Sequence, residues 1–238
     1  VAGPHICSGS WDSSIKVWDV PSATVLLSLE ARTKPGNAPT PVNCMTTWQG
    51  SFLASGCGDG IVRVWSLEQG ACVHELKGHN SSVRCIVDYH GTLCSGGKDD
   101  KVLMWDVERN LAAELAGHSG GVVCAAVSGG RIITGSYDRT VKVWDGETRQ
   151  CMFDMVGHGD PVWSLGVCGG GQLFTGCAKK MLRWGLPDGA GGDEEGAEVP
   201  VDDDLPPPII AGYNDGGVAG GGGGDAYGIG DGAASEGG

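Results

Sequence analysis

An all-β fold built from one repeated four-stranded unit is the class this sequence predicts, and three observations predict it. The first is a period: Trp18, Trp65, Trp105, Trp144 and Trp184 follow one another at intervals of 47, 40, 39 and 40 residues. Self-similarity near 40 residues marks a stacked array of one supersecondary unit. The second is the phrase that each tryptophan closes: SIKVWD, IVRVWS, KVLMWD, TVKVWD and the rougher MLRWG. The third is local texture. Segments between turn signals are short and rich in Val, Ile, Leu and Cys, which favours strand over helix.

The unit has a fixed order. A Gly-His pair is followed four residues later by a valine and a short strand. A turn, a strand ending in Ser/Thr-Gly, a tight turn carrying Asp and a strand ending in Trp complete the phrase. GHNSSVRCIVDYHGTLCSGGKDDKVLMWD (residues 78–106) and GHSGGVVCAAVSGGRIITGSYDRTVKVWD (117–145) are its full versions. A fourth strand comes after each Trp-Asp, as in ATVLLSLE, ACVHELKG, LAAELAG and QCMFDMVG. One twisted sheet of four strands has two apolar faces, and packing such sheets radially buries both.

These phrases resemble the WD40 repeat family over residues 1–187. The resemblance implies a WD40 β-propeller with about five four-stranded blades visible. The first is incomplete, because the sequence opens at HICSGSWD without a preceding strand. Propellers of this family most often have seven blades, which at this period would take roughly 280 residues. The chain lacks an initial Met and starts inside a repeat, so it is read as a fragment, and a seven-bladed ring is one form the whole would take. An open array would expose two blade edges.

Residues 188–238 form a second region. They hold 12 of the 29 acidic residues, no Lys or Arg, 17 of the 44 glycines, a Pro-Pro-Pro run and five consecutive glycines. Such a segment cannot bury enough apolar surface to offset its ordering entropy, so a disordered tail is expected. Within it, LPPPIIAGY (205–213) is a candidate short docking strand. The net charge of −13 belongs mostly to this tail; the first 187 residues carry 17 acids against 16 bases. A basic nucleic-acid footprint is therefore absent from the body. No apolar run reaches a membrane span and no signal peptide is visible.

Ten cysteines raise the prospect of a disulfide scaffold, but repeat register places them. Cys44, Cys85 and Cys124 each sit two residues after a strand-opening valine, Cys7 and Cys94 precede Ser-Gly, and Cys57 and Cys177 follow Gly. Cysteine in such slots acts as a small apolar residue, so reduced core thiols in a cytoplasmic (or nuclear) protein are expected. Met45, Met104, Phe153 and Leu165 are read as core.

His, Ser/Thr and Asp also recur, which invites a hydrolase triad. His79, Ser95 and Asp99 in one repeat match His118, Thr134 and Asp138 in the next, with Trp105 and Trp144 at the same offset. A catalytic site is needed once, whereas this set occurs twice. The WD40 resemblance implies that the four side chains form a hydrogen-bonded structural tetrad. Elsewhere the set is incomplete. Ser55, Asp59 and Trp65 have Ala38 in the histidine slot, and Ser8, Asp12 and Trp18 lack a histidine. His158, Thr175 and Trp184 have Ala178 or Lys179 where Asp belongs. Blades three and four should therefore be stiffest and blade five loosest. His74 and His90 have no Cys or carboxylate at metal spacing, and the glycine-rich segment lacks a phosphate-loop Lys-Ser/Thr. No catalytic residue, cofactor or metal is expected.

Function then lies in the slots that vary. The resemblance implies that loops at one face meet partners, and two slots per repeat point there. Those before the turn Asp are Trp11, Gly58, Lys98 and Tyr137; those after the strand-opening valine are Asn43, Arg84, Val123 and Trp163. Trp11, Arg84, Lys98, Tyr137 and Trp163 are the candidate partner-binding set, suited to a peptide with an acidic or phosphorylated residue. The expected role is a non-catalytic protein–protein interaction scaffold. Alternatives are a substrate-recognition module of an F-box-type ubiquitin ligase, an accessory propeller of a larger enzyme such as a kinase, and a cytoskeletal or ciliary subunit. The Trp-Asp-x-Arg phrase of cullin-4 receptors is missing, since the four phrases read WDVP, WSLE, WDVE and WDGE.

Overall fold

A computed structural model describes residues 5–31, 38–168, 172–186 and, for the backbone alone, 197–199. The described elements are all strands, in five antiparallel sheets. Blade one comprises β1 (His5–Gly9), β2 (Ser14–Asp19) and β3 (Thr24–Glu30). Blade two comprises β4 (Val42–Trp48), β5 (Phe52–Cys57), β6 (Ile61–Ser66) and β7 (Ala71–Lys77). Blade three is β8 (Val83–Tyr89), β9 (Thr92–Gly97), β10 (Val102–Asp106) and β11 (Leu111–Leu115). Blade four is β12 (Val122–Ser128), β13 (Arg131–Ser136), β14 (Val141–Asp145) and β15 (Cys151–Met155). Blade five is β16 (Ser164–Cys168), β17 (Gln172–Gly176), β18 (Met181–Gly185) and β19 (Ala197–Val199). Each is a meander with strands in sequence order, and β4, β8, β12 and β16 stand side by side as the inner strands.

The chain divides into residues 1–201 and a second unit, 202–238, that lies wholly outside the described residues, as does the candidate docking strand 205–213. The sequence ends the blades at 187 and expects a disordered tail from 188, the candidate strand 205–213 aside. β19 lies past that point and supplies the fourth strand of blade five, pairing Met181 with Val199. Its Ala-Glu-Val sequence carries no strand signal of its own. The open edge of β18 provides the backbone partners.

Blade packing repeats one close approach. At the Ser/Thr-Gly slot a Cβ on Gly9, Gly56, Gly96 or Gly135 would lie 2.5–2.8 Å from a Cγ of the next blade's opening valine: Val42, Val83, Val122 or Val162. Glycine there lets one blade's second strand close on the start of the next blade, and the valine fills the space. The core consists of four inter-blade clusters, and Met45, Met104, Phe153 and Leu165 all pack in or against them. Interior blades are buried on both faces, so Val102, Leu103, Met104 and Trp105 of β10 are all buried and only Asp106 at its end is exposed. β18 of blade five instead alternates exposed and buried.

The ten cysteines are all unpaired thiols. Cys57, Cys85 and Cys94 are buried, and desolvation pushes the Cys85 thiol up to about 12. Cys72, Cys151 and Cys168 are exposed, on outer strands or a strand end.

Candidate functional site

Two complete side-chain tetrads sit in blades three and four. In blade three the Trp105 indole N–H donates to Ser95 Oγ at 2.8 Å, and His79 Nε2 lies 2.8 Å from the same hydroxyl. His79 Nδ1 meets Asp99 at 2.9 Å, and Asp99 also accepts the Asn80 backbone N–H at 2.7 Å. Blade four repeats this with Trp144 to Thr134 (2.8 Å), His118 to Thr134 (2.8 Å) and His118 to Asp138 (2.7 Å). The chain spacing produces this directly. Ser95 pairs with Leu103 across β9–β10, two residues before Trp105, so hydroxyl and indole share one end of the sheet.

These hydroxyls are poor nucleophile candidates. Each already accepts an indole N–H, and Ser95 and Thr134 are fully buried, with no space for a substrate carbonyl. Burial lowers the His118 pKa, opposed by its Asp138 hydrogen bond and charge. Burial alone would raise Asp138, but hydrogen bonds from Thr140, His118 and Ser119 outweigh it and hold that carboxyl at about 2. The arrangement ties the loop before β12 to the β13–β14 turn, with every buried polar group partnered.

The incomplete sets are resolved differently. Blade one keeps only the Trp18 to Ser8 bond, at 2.9 Å. In blade two, with Ala38 in the histidine slot, Asp59 is taken by Arg63, which donates from both terminal nitrogens at 3.1 and 2.7 Å. Arg63 is 1% exposed and also reaches Glu75 at 3.4 Å. Burial works against its charge, but the Asp59 contacts overcome this and raise its pKa above the usual value. Sequence reading missed Arg63. The available signal was an Arg two residues before Trp65, facing a repeat whose Asp had lost its histidine.

Blade five keeps Trp184 to Thr175 and His158 to Thr175, both at 2.7 Å. His158 Nδ1 is buried and has no partner, because Ala178 and Lys179 occupy the carboxylate slot. Burial, then the Lys180 charge, lowers the His158 pKa. A folded-state pKa below the unfolded value means the unfolded chain binds more protons, so this contribution falls as pH drops below about 6.5. Restoring a carboxylate by Ala178→Asp or Lys179→Asp, made separately, should stabilise the fold in at least one case by about 1 kcal/mol. That variant should also raise the His158 pKa in NMR titration. Unchanged melting and titration in both variants would refute the orphaned-nitrogen account.

The candidate partner face brings part of its set together. Tyr137 and Trp163, from adjacent blades, meet edge to face with ring centroids 5.1 Å apart. Tyr137 covers a loop glycine: a Cβ on Gly121 would lie 3.1 Å from the Tyr137 ring and 3.3 Å from Lys98 Cα. Lys98 is therefore the neighbour of Tyr137 across Gly121. Arg84 is half-buried and next to Val83, which pairs with Gly97, so Arg84 and Lys98 share a corner of blade three. Trp11 is 48% exposed in the β1–β2 turn. Among the described residues, no group of His, Cys, Asp and Glu side chains could hold a metal ion, and no helix is long and apolar enough to cross a membrane.

Comparison with known proteins agrees with this architecture. The family described as "WD domain, G-beta repeat" matches residues 2–19, 30–66, 70–106 and 109–145, more than half of the chain. F-box/WD repeat-containing protein sel-10 of Caenorhabditis elegans is 35% identical over 107 residues, 44% of this chain and 17% of that protein. The small ribosomal subunit protein RACK1y of Oryza sativa is 32% identical over 112 residues, 47% of this chain and 32% of its own length. This chain thus spans well under half of either relative. Among solved structures, the crystal structure of the computationally designed Ika8 protein aligns with a TM-score of 0.64 at 26% identity, covering 77% of this chain and 56% of the other. Proteins of this kind generally mediate protein–protein interaction, and the propeller itself is generally non-catalytic. With repeat period, blade order, tetrads and family match in accord, the chain belongs to the WD40 family.

Proposed function

We propose that this protein is a non-catalytic interaction platform whose loop face around Tyr137 and Trp163 binds peptide segments of partner proteins within a larger complex. The carrying observation is the edge-to-face pair of those rings across two blades, with Lys98 beside Tyr137. Aromatic rings of this kind are enriched in interface hot spots. Arg84 and Lys98 add positive charge, which suits a segment bearing an acidic or phosphorylated residue. Ten unpaired thiols suit a reducing compartment, so we place the protein in the cytoplasm or nucleus.

The likeness to sel-10 favours a narrower second reading, recognition of substrates for an F-box-type ubiquitin ligase. Pull-down mass spectrometry of wild type against the Trp11→Ala, Arg84→Ala, Tyr137→Ala, Trp163→Ala quadruple variant tests both. The variant, with folding checked by circular dichroism, should lose a set of partners. If it retains them all, this face is not the binding surface. A ubiquitin-ligase subunit among the retained partners and phosphoproteins among the lost ones would select the narrower reading.

A further inference from the structure

Three departures from the repeat converge on one place, the end of blades three and four that carries the Trp-Asp turns. The first is in the outer strand pair. β2–β3, β6–β7 and β14–β15 each carry a bulge immediately before the tryptophan, whereas β10–β11 runs through Trp105 without one. The second is side-chain size. The residue facing the position before the tryptophan is Leu27, His74 or Phe153 in those blades, but Ala113 in blade three, with Ala112 opposite Trp105.

The third departure is in the neighbouring turn. Two residues after the tryptophan stand Val20, Leu67, Val107 and Leu186, but Gly146 in blade four. A Cβ on Gly146 would collide with the phenol ring of Tyr89, which leans across from blade three and donates its hydroxyl to the Gly130 carbonyl at 3.0 Å. A missing bulge residue and two alanines remove side-chain atoms that the other blades carry at this slot, while Gly146 makes room for the Tyr89 ring that walls it. What they leave is a groove of about 690 Å³ beside Leu111, which is 61% exposed.

Carboxylates outnumber guanidiniums at the groove. Asp106, Glu108 and Glu147 line it against a single guanidinium, Arg149. Asp106 is held by Arg109 at 3.2 Å, while Glu108 and Glu147 are exposed side chains at its rim. Burial, then the Glu147 and Asp145 charges, pushes the Tyr89 phenol up, which marks how close these carboxylates come to the groove wall. An apolar floor with an anionic rim attracts an apolar anchor flanked by cations.

We propose that the groove formed by Ala112, Ala113, Leu111, Tyr89 and Gly146 is a second docking site, on the opposite face from the Tyr137–Trp163 surface. It takes a partner-protein segment that inserts a bulky aliphatic or aromatic side chain and carries Lys or Arg on either side. Glu108 and Glu147 receive the basic residues. The anchor covers Leu111 and the alanines. The inference does not depend on the loop face having a ligand.

The probe is the peptide acetyl-Lys-Arg-Leu-Phe-Lys-amide, with acetyl-Glu-Asp-Leu-Phe-Glu-amide as the charge-reversed control, titrated calorimetrically into the full chain. NMR of the Trp48 indole N–H gives the location, since that group lies at the groove wall and donates to the Gly91 carbonyl at 2.7 Å. The basic peptide should bind wild type and shift the Trp48 signal, and the acidic one should not. Glu108→Lys/Glu147→Lys, both exposed, should weaken the basic peptide by about tenfold or more and admit the acidic one. Leu111→Asp should weaken it comparably through loss of the anchor contact. The quadruple loop-face variant should bind the basic peptide as wild type does, which separates failure here from failure there. No binding by wild type, equal binding of both peptides, or variants indistinguishable from wild type would each overturn the proposal.

Discussion

Trp144→Ala should lower unfolding free energy by about 3–5 kcal/mol, the range for removing a fully buried aromatic side chain. Trp144 is 0% exposed and packs with Cys85, Tyr89, Met104, Val122 and Ile132 between blades three and four. The substitution leaves a cavity at that junction and strips the Thr134 hydroxyl of its indole donor, while His118 stays on it. Trp144→Phe separates the two effects, because it keeps most of the packing and loses the N–H, and should cost about 1 kcal/mol. Urea unfolding followed by circular dichroism measures both. A domain of this size is stable by only about 5–15 kcal/mol, so the alanine variant should unfold at a visibly lower midpoint. A loss below about 1 kcal/mol for Trp144→Ala would show that the blade junction does not depend on its tetrad tryptophan.

Arg63→Met should cost about 1–3 kcal/mol, because the arginine is buried but its carboxylate partners Asp59 and Glu75 reach solvent and are left without a cation rather than desolvated. The guanidinium is almost completely buried between Asp59 and Glu75, and methionine fills its volume without its charge. The cost then falls on the two carboxylates, which lose their common cation. Removing one of them should recover part of it, so Arg63→Met with Asp59→Ala should be more stable than Arg63→Met alone. A double-mutant cycle under denaturant checks this. If Arg63→Met proves nearly neutral, Asp59 is satisfied by backbone N–H groups such as that of Ile61, 3.1 Å away, and the arginine is dispensable.

The contrast between these sites shows what was legible in the chain. Trp144, His118, Thr134 and Asp138 were readable because a second copy, Trp105, His79, Ser95 and Asp99, stands at the same spacing. Repetition separates architecture from chemistry without any coordinates. Arg63 was not readable, because it occurs once and its meaning depends on Ala38, 25 positions earlier, failing to supply a histidine. The unpartnered His158 nitrogen was half visible: the missing carboxylate showed in the sequence, but its burial did not. The partner set was legible by slot only. The edge contact of Tyr137 with Trp163 depends on two blades meeting, and no spacing along one blade encodes it.

By itself the sequence determined the four-strand repeat, the positions of its turns, the glycine and valine slots of each blade, and the absence of a basic nucleic-acid footprint. All of these are local or periodic, and a strand's two-residue alternation and a turn's residue preferences act within a few positions. Only the tertiary structure decided that β19 completes blade five, that Arg63 replaces a missing histidine, and that a bulge-free outer strand opens one groove, with Gly146 admitting the Tyr89 ring that walls it. The physical reason is common to the three. Each depends on which groups from distant parts of the chain are left without a partner or without a neighbour, and packing alone settles that.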